Sequence, residues 1–437
     1  MHKPHKPSLS LTASPVYLVA DAINTLVRSL PAGTAYFIGV VLVTLCTGQL
    51  VHRQGSLARA VLPYVVQLRW GWHRAERAIA RGAFCLDALF ERATVWCVAH
   101  LPAEPVRLGR ERRSVHAVDS STVVRLRSRK ASARLGKGYD QRANRAVRAN
   151  MVAALTSVVW IRGIRVGLVR RTRFGHSCEE AVAALFQDLP PSAEKRLFSV
   201  DAGIATVGQF AAATEHDALV GRLRKNVVLR RAPPPHPCGQ RGRPPVHGPA
   251  LHPGILRPEG RADEDMTLTV EDRQVRVRRW NTVHFARAPK TLLDVVRVDD
   301  PWYQRALLIG TTARELTTDE MRQAYAHRWP VETNFFVAQG TCAMEMPRAW
   351  TDTAVSRRIS LALLCGSVLK AVAAAGAPLP MGPWDRKAVS SAGRLANHLD
   401  LHAQDFAALA LHGVAPRKYR KMTKTNHTKD LQLPKAA

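Results

Sequence analysis

Residues 114–126 of the 437-residue chain, SVHAVDSSTVVRL, decide its fold class. The stretch is short, rich in β-branched residues and partly alternating, which predicts a β-strand. Asp119 follows the apolar residues 115–118 and is itself followed by Ser-Ser-Thr. An acidic side chain near the end of a buried strand is a candidate for chemistry, and a turn or helix-capping role is the alternative.

The residues that follow predict further strands interleaved with helices. Residues 152–169 have the pattern of two strands joined by a turn, and residues 177–188 that of an amphipathic helix. A strand at residues 196–200 leads into Asp201, and residues 207–219 have the pattern of another helix. The order strand, strand, strand, helix, strand, helix predicts an α/β core.

Other segments flank and interrupt this core. The N-terminal part mixes Ala, Leu, Val and Arg at helical spacing, which predicts a helical DNA-binding region; a solvated helical surface is the alternative. Strand-like stretches at residues 266–280 and 291–298 predict a small β-rich insertion. We therefore divide the chain into a helical region at 1–110, a core at 111–225 and 305–375, an insertion at 226–304, and a helical region with a basic tail at 376–437.

A strong positive charge points to a polyanionic partner. The chain has 64 Lys and Arg residues against 34 Asp and Glu residues, which gives a net charge of +30. Most of the basic residues are Arg, whose planar guanidinium suits phosphate. We expect double-stranded DNA as the partner, because phosphate neutralisation releases counterions and so provides affinity. RNA or ribosome binding, or the Arg usage of a GC-rich genome, are the alternatives.

The cysteines and the longest uncharged run bear on where the protein works. Seven scattered cysteines without a Cys-x-x-Cys pair predict a reduced, cytoplasmic protein, associated with the nucleoid if it binds DNA. We do not expect zinc at His236, Cys238 and His247, because a fourth ligand is absent. Residues 32–51 are uncharged and have the length of a membrane span, but they contain polar residues and no comparable run follows. We interpret them as a buried core helix and expect no membrane partner.

The second acidic candidate is Asp201, which precedes Ala202 and Gly203. Phosphodiester chemistry at a two-metal centre requires several carboxylates that face one point. Mg²⁺ prefers oxygen ligands and usually takes only one or two carboxylates per ion, so three acidic residues on separate elements suffice. A turn or N-cap role is the alternative for Asp201, as it is for Asp119.

The third candidate, Glu332, lies on a predicted helix. Residues 317–320, Thr-Thr-Asp-Glu, form a capping box that opens this helix. Tyr325, Arg328 and Glu332 then fall at positions i, i+3 and i+7, on one face. Pro330 predicts a kink, after which Glu332 lies in the first turn of the continued helix. A buried, salt-bridged face is the alternative interpretation.

Taken together, these motifs resemble bacterial insertion-sequence transposases of the DDE type. The resemblance rests on VDSST around Asp119, SVDAG around Asp201, RLRKN at 222–226 and YAHRWPVE at 325–332. It is to the class with a Tyr-x2-Arg-x3-Glu-x6-Lys signature, and it covers roughly residues 30 to 375. The Tyr-Arg-Trp-x-x-Glu cluster is its most specific part.

The resemblance implies a fold and an activity. The fold is α/β: a ribonuclease H-like core with a β-rich insertion, flanked by N- and C-terminal helical regions. In this family the first Asp lies on the first strand of the core, the second on its fourth strand, and the Glu on a later helix. Asp119, Asp201 and Glu332 would hold Mg²⁺, for which Mn²⁺ substitutes, while Tyr325 and Arg328 would bind DNA-end phosphates. The partners implied are the terminal repeats of the element and target DNA, with the protein acting as a homodimer on DNA.

The sequence departs from the family pattern at two places. The signature Lys is replaced by Gln339, and the Arg-Gly-Phe that often follows the second Asp is replaced here by Ala202, Gly203 and Ile204. Gln339 removes a positive charge from phosphate binding, whereas all three acids are retained. A catalytically impaired relic that only binds DNA is therefore the rival to an active transposase, and a nuclease that cuts without joining is a third possibility.

Two smaller signals concern DNA contacts. Arg241 and Arg243, in a Gly-Arg-Pro context, resemble the core of a hook that enters a narrow minor groove; a basic surface loop is the alternative. Trp302 and Tyr303 are candidates for stacking on an unpaired base, with core packing as the favoured alternative. No Gly-rich phosphate loop is present, so we expect no nucleoside triphosphate.

Overall fold

Helices pack against one large, mostly open, mixed β-sheet in this α/β protein. The computed structural model describes residues 14–62, 64, 72–124, 135–140, 144–234, 245–255, 261–349, 351–380, 385 and 389–414. The helices in these ranges are α1 (Pro15–Arg28), α2 (Ala32–Cys46), α3 (Gln49–His52), α4 (Leu57–Ala60), α5 (Trp72–Arg81), α6 (Leu86–His100), α7 (Cys178–Gln187), α8 (Val207–Ala212), α9 (Thr318–Ala326), α10 (Trp329–Gly340), α11 (Asp352–Ala375), α12 (Ala392–Leu401) and α13 (Ala403–Ala410).

The strands run through most of the length of the chain. They are β1 (Ala103–Pro105), β2 (Arg107–Leu108), β3 (Arg113–Val124), β4 (Gly136–Asp140), β5 (Arg145–Ile161), β6 (Ile164–Gly175), β7 (Arg196–Val200), β8 (Asp217–Arg222), β9 (Leu229–Arg230), β10 (Ala250–Leu251), β11 (Glu264–Val270), β12 (Arg273–Phe285), β13 (Ala288–Asp299) and β14 (Leu307–Thr311).

The centre of the sheet combines parallel and antiparallel pairs. β3 lies between β5 and β7; it runs antiparallel to β5 and parallel to β7. β6 pairs with the far side of β5, and β8 pairs in parallel with the far side of β7. The order across the centre is therefore β6, β5, β3, β7, β8. The parallel pairing ends at Val118 and Val200; β7 stops there, whereas β3 continues to Val124.

Most of the strands predicted from the sequence are present, and one predicted helix is partly wrong. The pattern at residues 152–169 folds as β5 and β6, whose turn uses left-handed backbone at Arg162 (φ 48°) and Gly163 (φ 76°). Residues 207–219 are not one helix, since α8 ends at Ala212 and β8 begins at Asp217. β8 is buried on both faces between β7 and β14, so its apolar run lacks the alternation that usually marks a strand.

The β-rich stretch after residue 226 continues the same sheet. β14 pairs with β8 on one side and with β13 on the other, and β12 pairs with β13. The predicted strand at residues 266–280 is a hairpin: β11 and the start of β12 pair across a turn at Glu271 and Asp272, which have positive φ angles. The predicted strand at residues 291–298 lies within β13.

Two apolar helices form the centre of the helical layer. Thirteen of the fifteen residues of α2 are buried, so the uncharged run at 32–51 contains a core helix, as interpreted from the sequence. The expectation that no comparable run follows is wrong, because α11 is longer and also apolar. Within the described ranges α11 alone has the length and hydropathy of a membrane span, yet 89% of its most apolar stretch is buried inside the fold, as in the core helix of a soluble protein.

The two faces of the sheet pack against different helices. Along β3 the side chains of Val115 and Ala117 face the core that contains α2, α10 and α11, while Val118 faces a second core that contains α7. By the same alternation Asp119 faces α10, which bears Glu332. His116 faces the opposite side, where its ring packs against Phe198, so it takes no part in the site around Asp119.

Candidate active site

The two aspartates lie at neighbouring positions of the sheet. Val118 of β3 is the register partner of Val200 of β7. Asp119 and Asp201 are the next residues of these two chain segments, so both carboxylates reach the same end of the parallel pair. Asp119 is two residues beyond Ala117, and Asp201 is two residues beyond Ser199. By strand alternation both carboxylates therefore face the side of the sheet that α10 covers. The two acids therefore meet although they are far apart in sequence. Asp201 directly follows β7, but Asp119 lies within β3 and not near its end as the sequence had suggested.

Asp119 is held in a mostly buried environment. The backbone N–H of Ser120 donates to its Oδ1 atom at 2.8 Å, and Nη1 of Arg328 lies 3.6 Å from Oδ2. The pKa of Asp119 is raised to about 6, chiefly by burial and to a smaller extent by the charges of Glu332 and Asp201, while the Ser120 hydrogen bond and Arg328 lower it. The ionised carboxylate is therefore under-compensated, and an additional cation nearby would stabilise it.

A break between two helices brings the third acid to this place. The side chain of Thr317 caps α9 and forms the predicted capping box with Glu320. α9 ends at Ala326, and α10 begins with Pro330 in its first turn. Glu332 lies in that same turn, so the interruption predicted from Pro330 is confirmed. Proline is compatible with a first helical turn because its missing N–H would have no partner inside the helix there.

Three side chains around this break contact the acids. The hydroxyl of Tyr325 donates to Oδ1 of Asp201 at 3.0 Å. The guanidinium of Arg328 forms an ion pair with Glu332 and reaches Asp119, and it also lies over the ring of Tyr325, 5.4 Å from its centroid. Burial, more than any neighbouring charge, raises the pKa of Tyr325, so its proton stays available for the hydrogen bond. The structure thus brings together all five residues that the sequence grouped from separate elements.

Gln339 also belongs to this surface. Its Nε2 atom donates to Oγ of Ser121 at 3.2 Å, two residues beyond Asp119 on β3. The position that carries Lys in the signature therefore lies beside the strand of the first acid. Here a neutral amide occupies it, and the local positive charge comes from Arg328.

The other predicted DNA contacts have different outcomes. Arg241 and Arg243 lie outside the described residues. Trp302 and Tyr303 are exposed, at 74% and 67% of their full surface, so the core-packing interpretation of this pair is wrong. Trp302 stacks under the guanidinium of Arg273, whose central carbon lies 4.2 Å from the ring centroid. An exposed aromatic ring next to a cation remains compatible with base stacking.

The three acidic side chains have the donor atoms that Mg²⁺ prefers, but their arrangement fits a metal site less clearly. Asp119, Asp201 and Glu332 offer only oxygen donors, which Mg²⁺ prefers. No group of three or more His, Cys, Asp or Glu side chains in the described ranges has the arrangement of a metal site. The guanidinium of Arg328 forms an ion pair with Glu332 and borders Asp119. All three carboxylates fit the ion as donors, and Glu332 is the one that is also ion-paired with Arg328.

Sequence reasoning missed the contacts behind the helix that carries Glu332. Lys370 of α11 reaches Thr333 and Asn334 of α10, and Asn334 in turn donates to the backbone of Gly167. A signal was present, since Lys370 is the single charged residue in the long apolar run 359–375. Which helix it contacts depends on tertiary packing, which the run itself does not reveal.

Comparison with known proteins adds no relative. No protein-family model matches the chain, and no curated protein matches it. The fold and the site define an α/β protein with two aspartates on neighbouring parallel strand segments and, next to them, a tyrosine, an arginine and a glutamate from a broken helix.

Proposed function

We propose that the chain is a DDE transposase, a Mg²⁺-dependent enzyme that cuts DNA at element ends and joins them to target DNA. The proposal depends on one observation: Asp119 and Asp201 directly follow the last paired residues of the parallel strands β3 and β7, and Tyr325 and Arg328 contact them from the helix break that also carries Glu332. Of the six residues that the family pattern places at one site, the chain retains these five, and Gln339 replaces the sixth, a Lys.

The order of elements supports a ribonuclease H-like core. If the short strands β1, β2 and β4 are left aside, β3, β5, β6 and β7 are the first four strands of the sheet. Asp119 then lies on the first strand and Asp201 directly after the fourth. Glu332 follows on a later helix, after the β-rich stretch β11 to β13. This is the order that the family resemblance implies.

The chemistry assigned to these residues is phosphodiester hydrolysis followed by transesterification. When bound to the carboxylates, Mg²⁺ supplies stabilisation of the attacking and leaving oxygens. Water attacks the phosphodiester at the element end and a 3′-hydroxyl leaves; that hydroxyl then attacks a phosphodiester of target DNA, or of the opposite strand, and displaces another 3′-oxygen. Arg328 and Tyr325 bind the end phosphates, with charge-assisted bonds from the guanidinium. No side chain forms a covalent intermediate.

Two features fit a DNA substrate: the net charge of the chain and the ion pairs of Arg328 with acidic residues of the site. A net charge of +30 favours a polyanion over a neutral ligand. A phosphate that approaches Arg328 competes with Glu332 for its guanidinium, so substrate binding and release of Glu332 are coupled in this arrangement. The proposal that the protein acts as a homodimer across two DNA ends is carried over from the resemblance. Its place in the cytoplasm, at the nucleoid, is carried over from the composition and the resemblance.

Cleavage of a labelled duplex that carries the terminal repeat of the flanking element tests the proposal. Wild type is compared with Asp201→Asn, and with Asp405→Asn as a matched control at an exposed carboxylate on α13. We expect end-specific nicking in Mg²⁺ by wild type and by Asp405→Asn, and no nicking by Asp201→Asn although it still binds. Strand-transfer product would exclude a nuclease that only cuts.

A DNA-binding relic is the alternative, and Gln339 favours it. The amide of Gln339 lies where the signature has a cation, next to the strand of Asp119. A relic would bind the terminal repeat without cutting it in Mg²⁺ and in Mn²⁺ alike. That outcome for wild type would refute the enzyme and leave DNA binding as the function.

A further inference from the structure

A lysine on α11 contacts the start of the helix that carries Glu332. Nζ of Lys370 donates to the carbonyl oxygen of Pro330 at 3.3 Å and to Oδ1 of Asn334 at 3.1 Å, and it also donates to Oγ1 of Thr333. These three acceptors lie on both sides of Glu332 in the sequence. All of them belong to the first turns of α10, so one ammonium group joins the backbone and two side chains of this short segment.

Lys370 has an unusual environment for a cation. Within the described chain no carboxylate lies within ion-pairing distance of it, and burial lowers its pKa to about 7. It also lies beside a helix N-terminus, where the macrodipole is positive and disfavours cations. An apolar side chain at position 370 would avoid both costs. A role in packing alone therefore does not explain the charge.

The acceptors of Lys370 continue into the sheet. Asn334 donates through Nδ2 to the carbonyl oxygen of Gly167 on β6 at 3.0 Å, and Oγ of Ser367 on α11 donates to the same oxygen at 3.2 Å. A Cβ atom at Gly167 would lie 2.5 Å from Cγ2 of Thr156 and 2.8 Å from Nδ2 of Asn334. The absence of that atom allows α10 to approach β6 closely. The start of α10 is thus fixed to both α11 and the sheet.

This fixation leaves Glu332 free to face the site. At about 100° per residue, Pro330 and Asn334 lie about 200° from Glu332 around the helix axis. Lys370 therefore holds the buried side of α10, while Glu332 is directed to the side of Arg328 and Asp119. Any shift of the first turn would move the Glu332 carboxylate relative to the two aspartates by a similar distance.

We propose that Lys370 is a positioning residue that fixes the first turn of α10, so that Glu332 is held next to Asp119 and Asp201. The inference rests on the proposed function for its effect on catalysis, but the contact itself is independent of it. Groups that orient metal ligands without touching the metal commonly change metal affinity or activity by 10- to 100-fold when they are removed.

The test compares Lys370→Met with Arg357→Met. Arg357 is a matched control, because it is a part-buried cation on the same helix and donates to carbonyl oxygens, those of Ile79 and Gly82, away from α10. Two quantities are measured: the Mg²⁺ concentration for half-maximal cleavage of the terminal-repeat duplex, and amide hydrogen exchange of residues 331–340 without metal.

We expect Lys370→Met to raise the Mg²⁺ requirement about 10-fold and to speed exchange at residues 331–340, with unchanged binding of the duplex in EDTA. Arg357→Met should change neither quantity. Thr333→Val removes one of the acceptors of Lys370, so it should change both quantities in the same direction as Lys370→Met, by a smaller amount. If Lys370→Met does not fold, Thr333→Val is used in its place. Wild-type exchange and wild-type Mg²⁺ dependence in Lys370→Met would overturn the proposal. If wild type does not cut DNA, the proposed function fails, and the exchange measurement still decides whether Lys370 fixes α10.

Discussion

Replacing Asp119 by Asn should stabilise the folded protein at neutral pH when divalent cations are absent. The pKa of Asp119 is raised from 3.8 to about 6, chiefly because its carboxylate is buried. A raised carboxyl pKa means that the folded state holds the proton more tightly than the unfolded chain. The protonated group therefore contributes stability that is fully present below about pH 4 and is lost as the pH rises through about 6. Asn retains the neutral form at every pH.

The size of the effect follows from the shift. About two pKa units at about 1.4 kcal/mol each amount to about 3 kcal/mol at pH 7 and above. Asn keeps an acceptor for the N–H of Ser120, which lies 2.8 Å from Oδ1. It loses the charge that faces Arg328 at 3.6 Å, and the net pKa shift already contains this loss. We expect a net increase of about 1–3 kcal/mol in the free energy of unfolding.

Urea denaturation in EDTA at several pH values between 5 and 8 measures this difference. The advantage of Asp119→Asn should be largest at pH 7–8 and should shrink towards pH 5, while Asp405→Asn should show no such trend. Added Mg²⁺ should narrow the gap, because it stabilises only the protein that retains the carboxylate. A variant that is less stable than wild type at pH 7.5, or an advantage that does not change with pH, would refute the reasoning.

Two further substitutions test the contacts of the site. Gln339→Lys adds a cation beside Ser121, so it should tighten binding of the terminal-repeat duplex and make this binding depend more steeply on salt concentration, by about one charge. Anisotropy titrations at four salt concentrations measure the slope. An unchanged slope would contradict a phosphate contact at this position. Tyr325→Phe removes the 3.0 Å hydrogen bond to Asp201 and should lower the free energy of unfolding by about 1–2 kcal/mol. Equal midpoints of urea denaturation for variant and wild type would show that this bond does not form.

Local patterns predicted most of the central sheet. β3 is rich in β-branched residues, β7 is a short buried stretch, and the hairpin of β5 and β6 has a Gly at its turn. β8 was missed because Ala218, Leu219 and Val220 are all buried, so the sequence has no alternation to separate a strand from a helix. The pairing of β14 with β8 joins residues about ninety positions apart, and no local pattern encodes it.

The candidate site was predictable to a similar extent. The ion pair between Arg328 and Glu332 has the i, i+4 spacing that favours such pairs, and Pro330 indicates the helix break. The contact of Lys370 with Asn334 was not predictable, because it depends on how two helices dock. The exposure of Trp302 was misjudged for the same reason: a large aromatic residue is usually buried, and only the fold reveals that this one stays mostly exposed beside Arg273.

The shared sheet limits how this protein can be shortened or recombined. Removing residues 226–304 would delete β12 and β13, yet β14 would still pair with β8 and would now present its other side to solvent. A row of unpaired backbone N–H and C=O groups on an uncovered strand recruits strands from other molecules and leads to aggregation. The β-rich stretch is therefore not a removable cassette. A truncated version intended for crystallisation or for a fusion protein would need a replacement edge, such as a charged or proline-containing strand in the place of β13.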